Sequence, residues 1–479
     1  MKTIKSFFGI ATAFFALLQI SCTKENTPQD VIPEGYQKAV FKAIETKASL
    51  DGTTIKWDAK DYLAVYGFAT GAVGDIVGNK FTKSGTDVTS VAEFTGVVAE
   101  NADVVYVTYP FYCNDGSANT ESPLKCNADK VVTTIPGAQK LVANSIDPAC
   151  NISACQATVA EEGDKKVLSG EMRNLVSYLK FTIDGTKNIT SVLVETRNNQ
   201  RISGMSEIKF KNGLPSLTAI ESHYVTAYAN GAIAAGTYYL CVAPVDLTND
   251  DATKAGFKIT VSATDGKVYE YVTRGVDMRR NNIYNLGTLE QLCVENTDLR
   301  SVVFDFSKIE TSASSDRRTY TLNNGYTGAY VNFYNNASKG YMQAKNNGFL
   351  TTPEIDGMKL SKVNVALFAH TTNKAPVLSL KLDTGDATLG AKYVTGEYRP
   401  VDKKNSGSAN ATLQLYRQTV HSPVYFHQFV VGARGDLERN RTIETTLTEP
   451  YQLVNDSSTS TDETTSNIER VEFIYEKTN

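Results

Sequence analysis

The chain has 479 residues, a net charge of −4 and 25 tyrosines against a single tryptophan. No basic run is present, so there is no electrostatic footprint for nucleic acid, and four histidines are too few for a histidine-rich metal site or a histidine-dependent catalytic centre. At ~100–200 residues per domain, this length accommodates about three domains.

The amino terminus reads as an export signal. Lys2 and Lys5 give a positive start, Phe7 to Leu18 form an apolar run of twelve residues, and Ser21 is a small residue before Cys22. The run is too short to span a bilayer as a helix. Leu18-Gln19-Ile20-Ser21-Cys22 resembles the cleavage motif of bacterial lipoproteins, with Gln19 where leucine usually stands. That resemblance implies removal of residues 1–21 and lipidation of Cys22. A soluble body would then be held on a membrane by acyl chains alone. Residues 22–36 are polar, contain two prolines and a glycine and have no periodicity, as expected of a flexible tether. Lys24-Glu25-Asn26 partly resembles the surface-export signal of outer-membrane lipoproteins of the Bacteroidota. The expected location is therefore the outer membrane, at the cell surface.

Beyond the tether the hydrophobic period is two. Leu179, Phe181 and Ile183 alternate with Tyr178, Lys180 and Thr182; Phe257, Ile259, Val261 and Ala263 alternate with Lys258, Thr260 and Ser262; Leu378, Leu380 and Leu382 alternate with Val377, Ser379 and Lys381. Each pattern predicts a strand with one face on a core. Asn212-Gly213, Asp265-Gly266 and Asn324-Gly325 predict tight turns between strands. No amphipathic helix of three turns is evident. Short antiparallel strands at this spacing predict an all-β protein built of sandwiches. The charged run Glu161–Lys166 suggests a boundary, giving domains over 37–165, 166–290 and 300–479, with Glu290 to Leu299 as a connector. Asn455 to Asn467 is low-complexity and polar, a linker before a last strand with Val471, Phe473 and Tyr475 on one face and Glu472 and Glu476 on the other. That strand is expected to fold back onto its own sandwich, since a short linker keeps it at high effective concentration.

Six cysteines follow Cys22. In an oxidising compartment Cys113 with Cys126, and Cys150 with Cys155, are placed by proximity to staple loops, although six cysteines allow 15 pairings. Cys241, within Tyr238–Val242, reads as a small buried apolar residue.

An ordered series of pieces begins with Phe41-Lys42-Ala43, Ile55-Lys56-Trp57 and Asp61–Tyr66. It continues through Val105–Phe111, Ile135-Pro136-Gly137-Ala138-Gln139 and Asn174–Phe181. It closes with Ile202-Ser203-Gly204, Gly236–Tyr239 with Ala243-Pro244, and Arg280–Gly287. In this order the pieces resemble the fimbrillin family of surface lipoproteins, over roughly residues 36 to 290. The resemblance implies two transthyretin-like Greek-key sandwiches and a role as adhesin or pilus component, with other pilus or surface subunits as partners. In polymerising members a protease removes the leader and first strand, and a neighbour's strand fills the groove. Here the first arginine of the chain is Arg173, so an arginine-specific protease has no site there, and only Lys24, Lys38, Lys42 and Lys47 could serve a lysine-specific one. That departure, with the third domain, points to a tip or stand-alone component rather than a shaft subunit. The third block resembles jelly-roll modules of similar lipoproteins through Leu350–Ile355 and Lys359–Val365.

Chemistry is sparse. In a regular strand Tyr330, Asn332 and Tyr334 share one face, opposite Val331 and Phe333, with Tyr326, Tyr341, Asn335, Asn336 and Gln343 nearby. Aromatic rings and planar amides together suit a sugar, so this is the expected ligand-binding face, for a host or dietary glycan or a surface protein. It also supports an alternative function, a surface glycan-binding lipoprotein serving polysaccharide uptake. Trp57, with Asp58 and Asp61, reads as a core indole beside turn carboxylates. His421 and His427 share a face without a nearby acid. No catalytic residue, metal site, cofactor or phosphate loop is expected.

Overall fold

A computed structural model describes residues 32–43, 48–50, 53–57, 59, 61–74, 76–111, 121–219, 222–229, 231–353, 355–367, 378–382, 398–400, 413–415, 440–444, 451–455 and 465–478. Cys22 with the leader, the tether as far as residue 31, Asp58, Cys113, His370, His421, His427 and residues 456–464 lie outside them. The described residues form strands and turns, with one α-helix of 4 residues, Leu289–Leu292, among them. The all-β expectation holds.

The first sandwich is a closed ladder. Tyr62–Phe68 pairs with Ile76–Lys83 and with Val104–Tyr109. The ladder continues through Ser153–Glu162 and Lys165–Gly170 to the first strand, Tyr36–Ala43, and then to Ala92–Ala99, which pairs back onto Ile76–Lys83. Alternate residues fill the interior, among them Phe41, Leu63, Val65, Phe81, Phe94, Val107 and Leu168. Trp57 belongs to this core, edge-on to Phe94 and Tyr109 with ring centroids at 5.1 and 5.4 Å. Tyr109 donates its hydroxyl to Asp61 Oδ1 at 2.8 Å, so the indole beside a turn carboxylate is structural.

The boundary expected at 165 is not one. Glu161 to Lys166 spans a hairpin turn, with Glu162 opposite Lys165, and the Lys165–Gly170 strand runs parallel to the first strand as part of the ring. Charge there solvates the turn, while the buried Lys166 donates to Ala102 O at 2.7 Å and pairs with Glu161 at 3.2 Å. The first sandwich therefore continues past residue 165, and the next one overlaps it in space. The hairpin Gly204–Lys211 with Leu214–Ala219 adds to the first sandwich's Lys130–Ile135 strand, whereas Ala138–Gln139 pairs in parallel with Tyr224–Tyr228 of the second. Gln139 fixes this exchange, donating to Cys241 O at 2.6 Å and accepting from Cys241 N at 2.7 Å. Tyr66, Tyr106, Ala154, Val176, Tyr178, Ile208 and Tyr239 form a shared core. Tyr62–Phe68 is consequently buried on both faces, Leu63 and Val65 on one and Ala64 and Tyr66 on the other.

In the second sandwich the predicted alternation is realised: Leu179, Phe181, Ile183, Phe257, Ile259, Val261 and Ala263 all lie in one core. The expected connector belongs to this unit too. Leu289 and Cys293 sit in the same core, and Val294–Glu295 pairs with Val268–Val272.

The third unit is organised around its last strand, Thr465–Lys477, which begins inside the stretch read as a linker. It pairs with Met358–Leu367 on one edge and with Leu299–Val303 and Tyr341–Thr351 on the other. Val471, Phe473 and Tyr475 point into the core as the alternation predicts, against Tyr320, Phe333, Met342, Leu350 and Val363. The strand is supplied in cis.

Candidate functional site

Two regions bear on ligand binding: the aromatic strand of the third unit, and a cleft between the second and third.

Tyr330, Asn332 and Tyr334 lie on Thr327–Asn336, which makes a hairpin with Tyr341–Thr351. They do not share a face. The pairing shifts register between Val331 and Phe333, and Asn332 takes a left-handed conformation at φ 49°. Its amide leaves the ladder and donates to Ser314 O at 2.7 Å. The facing residue, Gly348, must lack a side chain, because a Cβ there would meet Asn332 O at 2.6 Å and Lys345 O at 2.8 Å. Asn332 alone stands against four residues of the partner strand, 345 to 348, and its left-handed turn inverts the parity of its own strand beyond it. Tyr330 consequently joins Phe333 in the core at 4% exposure, its hydroxyl accepting from Glu310 N at 3.4 Å. Tyr341 is buried in the same core. The expected three-residue platform is thereby corrected. What remains is a half-buried polar group in which Tyr334 donates to Gln343 Oε1, Asn336 Nδ2 donates to the same oxygen at 3.1 Å, and Lys345 Nζ lies 5.6 Å from the Tyr334 ring.

The cleft has a volume of about 860 Å³. Lys267 and the turn before it line one side; Arg300, Asn323, Asn324, Tyr326 and Arg470 line the other. Asn324 is held by its own turn, accepting from Tyr326 N at 3.2 Å, and Gly325 N donates to Leu322 O at 2.9 Å. Under the cleft runs a polar joint. Glu472 is 0% exposed, accepts from Arg470 Nη1 at 3.0 Å and from Ser301 Oγ at 2.6 Å, and takes the Ser191 hydroxyl of the second sandwich at 3.1 Å. The Arg470 guanidinium carbon lies 5.2 Å from the ring of Tyr228. Burial would raise the Glu472 carboxyl, but Arg470 and the serine hydroxyls overcome it and hold the group down at about 2. The alternation of the last strand assigned Glu472 to a solvent face, but that face instead packs on another sandwich. Arg470 and Glu472, two residues apart on a strand and of opposite charge, were the available signal for such a joint.

The thiols differ from the sequence expectation. Cys150 and Cys155 are both buried with free thiols. Cys150 lies in the core shared by the first two sandwiches, whereas Cys155, on Ser153–Glu162, points into the ring. A sheet therefore separates them, and their closeness in sequence does not bring the sulfurs together. Cys126 donates to Asn127 O at 3.2 Å, and its proposed partner Cys113 lies outside the described residues. Burial pushes the Cys155 and Cys293 thiols up to about 12 and raises those of Cys150 and Cys241. Because the thiolate is the nucleophile, these four cysteines should resist a disulfide reagent at pH 8 in the native protein and react on denaturation. Rapid native labelling of any of them, read by peptide mass, would contradict the packing.

Among the described residues no three His, Cys, Asp or Glu side chains converge as a metal site.

No family model matches the chain, and no curated protein matches it. Solved structures that align with part of this chain include a protein from Bacteroides ovatus ATCC 8483, provisionally named a cell adhesion protein, at 13% identity and TM-score 0.36, covering 55% of this chain and 95% of that one. A fimbrial protein of the same organism is 11% identical with TM-score 0.24, covering 52% and 47%. The C-terminally truncated tip fimbrial protein Mfa3 from Porphyromonas gingivalis is 11% identical with TM-score 0.27, covering 55% and 98%.

Proposed function

We propose that the chain is a fimbrillin-type adhesin or pilus component of the cell surface, non-catalytic, at a tip or standing alone, and anchored in the outer membrane through Cys22. The observation that carries this reading is where the fimbrillin-like pieces fall. Asp61–Tyr66 and Val105–Phe111 overlap the paired strands Tyr62–Phe68 and Val104–Tyr109, and Ala138–Gln139 is the exchanged strand. Asn174–Phe181, Gly236–Tyr239 and Arg280–Gly287 meet in one three-stranded sheet. Pieces scattered over 250 residues of sequence thus build one pair of interlocked sandwiches.

The first strand favours a tip or stand-alone role. It lies between two neighbours, with Lys38 opposite Lys165 and Tyr36 opposite Ala99, and buries Ala39, Phe41 and Ala43. A shaft subunit that receives a donated strand must first lose this one, and no arginine precedes Arg173. With its own first strand retained, the groove stays filled.

In the native host, a palmitate analogue should label the protein and fail to label Cys22→Ala. Sheared surface material run without boiling should give a monomer band. Equal labelling of both proteins would remove the anchor, and a ladder of oligomers would make the chain a shaft subunit.

A further inference from the structure

We infer that the cleft between the second and third sandwiches is a binding site for neutral glycans. Tyr326 is the surface on which a sugar ring packs, and Asp265, Asp305, Arg300 and the amides of Asn323 and Asn324 hold its hydroxyls. The inference goes beyond the surface role proposed above and does not depend on the anchor or on assembly.

The first argument is the space and its aromatic wall. The cleft volume of about 860 Å³ is within the range of ~300–1,000 Å³ for small-molecule sites. Tyr326 borders it half-buried, packed in part against the core of the third unit. Its own hairpin turn fixes it: Tyr326 N donates to Asn324 Oδ1 at 3.2 Å, and Leu322 N donates to Tyr326 O at 2.8 Å. An aromatic side chain held in this way offers packing area with little ordering left to do on binding.

The second argument is the hydrogen-bonding capacity left over in the lining. Asp265 and Asp305 each spend one oxygen, Oδ1, on a backbone amide, from Lys267 N and Ser307 N, both at 3.0 Å. The other oxygen of each has no hydrogen-bond partner among the described residues. Arg300, half-buried on the same lining, makes no side-chain hydrogen bond or ion pair among them, and Asn323 makes no side-chain hydrogen bond. Asn324 keeps its Nδ2 for a ligand, since only its Oδ1 is used by the turn. The remaining charges are committed. Lys267 pairs with Glu295 at 3.3 Å; Arg470 gives Nη1 to Glu472 at 3.0 Å, and its other nitrogens are buried out of reach.

The third argument is the sign of these groups. Two carboxylates and one uncommitted guanidinium leave no surplus of positive charge for an anion. Acceptors and donors side by side suit a group that is both, and a hydroxyl donates one hydrogen bond and accepts others. Adjacent hydroxyls of a pyranose reach carboxylate and amide together, and the carboxylate bonds are the stronger for their charge. The phenol ring covers the apolar face of the same sugar. An acidic sugar would bring its charge against Asp265 and Asp305. A peptide backbone, with one donor and one acceptor per residue, would leave most of these groups unmet.

The test uses the full mature chain on an array of neutral oligosaccharides of glucose, galactose and mannose, with tri-galacturonic acid, sialyllactose and a neutral tripeptide as comparisons. The glycan bound best is then measured by isothermal titration. A neutral glycan should bind, the acidic sugars and the peptide roughly tenfold more weakly or not at all, and added salt should change the affinity little. Tyr326→Ala should lower affinity roughly tenfold or more, the scale of a lost stacking ring. Asp305→Asn, which keeps the bond to Ser307 N and loses the free carboxylate oxygen, should lower it comparably, with the melting temperature unchanged in both. Tyr334→Ala, on the hairpin away from the cleft, should leave binding intact. Absence of binding to every neutral glycan would overturn the assignment, as would preference for an acidic sugar or the peptide. Affinity indifferent to both Tyr326→Ala and Asp305→Asn, or lost only in Tyr334→Ala, would do the same.

Discussion

Deletion of residues 465–479 should abolish folding of the third unit while leaving the first two sandwiches intact. The strand Thr465–Lys477 is internal, paired along both edges, so its loss opens Met358–Leu367 on one side and Leu299–Val303 on the other. It also removes Ile468, Val471, Phe473 and Tyr475, each at most 3% exposed, from the core. At ~1.5–3 kcal/mol for each buried side chain, the four sum to roughly 6–12 kcal/mol, comparable to the whole stability of a typical domain. The unpaired edges would add an aggregation hazard. Limited proteolysis should degrade the truncated protein to a resistant core ending near residue 296, and calorimetry should lose one transition. A truncated chain that keeps its third transition would mean that the last strand is dispensable. Because the strand is supplied in cis, full-length protein should elute as a monomer.

Periodicity made most of the strands legible. Leu179 to Ile183, Phe257 to Ala263 and Val471 to Tyr475 fell on cores as alternation requires, and Asn212-Gly213 turns with φ of 53° and 76°. Alternation identifies one buried face, however, and is silent about a second. Thr260, Ser262 and Tyr178 stand opposite their cores and are buried nonetheless, because other sheets pack there. The exchange of Gly204–Ala219 into the first sandwich was invisible for the same reason, since a strand's pattern does not say whose edge it joins. The predicted sugar face failed at a single residue. Asn332 in a left-handed conformation moved Tyr330 from the expected surface to the core, and only the opposing Gly348 hints at a bulge. The cleft was not legible at all, because Lys267, Arg300, Tyr326 and Arg470 come from separate strands and turns.

Glu472→Ala should be among the most destabilising single substitutions in the chain. It leaves the buried Arg470 guanidinium without its carboxylate, and breaking a buried pair in this way costs about 3–5 kcal/mol. The same change strips the acceptor from Ser301 and from Ser191, the hydroxyls that tie the third unit to the second. Replacing both charges, as in Arg470→Met with Glu472→Met, should cost less than Glu472→Ala alone, since no unpaired charge remains. The pH dependence follows from the depressed carboxyl. Glu472 titrates at about 2 in the folded protein against a value near 4.3 in the unfolded chain, so its stabilisation is complete above pH ~5. It is lost as the pH falls toward 2, because the unfolded state then binds a proton that the folded state refuses; the difference is on the order of 3 kcal/mol. Urea titrations of wild type between pH 6 and pH 3 should therefore show a drop in stability that is much smaller in the double methionine variant. Equal acid sensitivity in the two proteins would mean that the joint at Glu472 does not couple the sandwiches. Its disappearance in the variant would locate the acid-labile contact of this molecule at the seam between the second and third units, beneath the cleft.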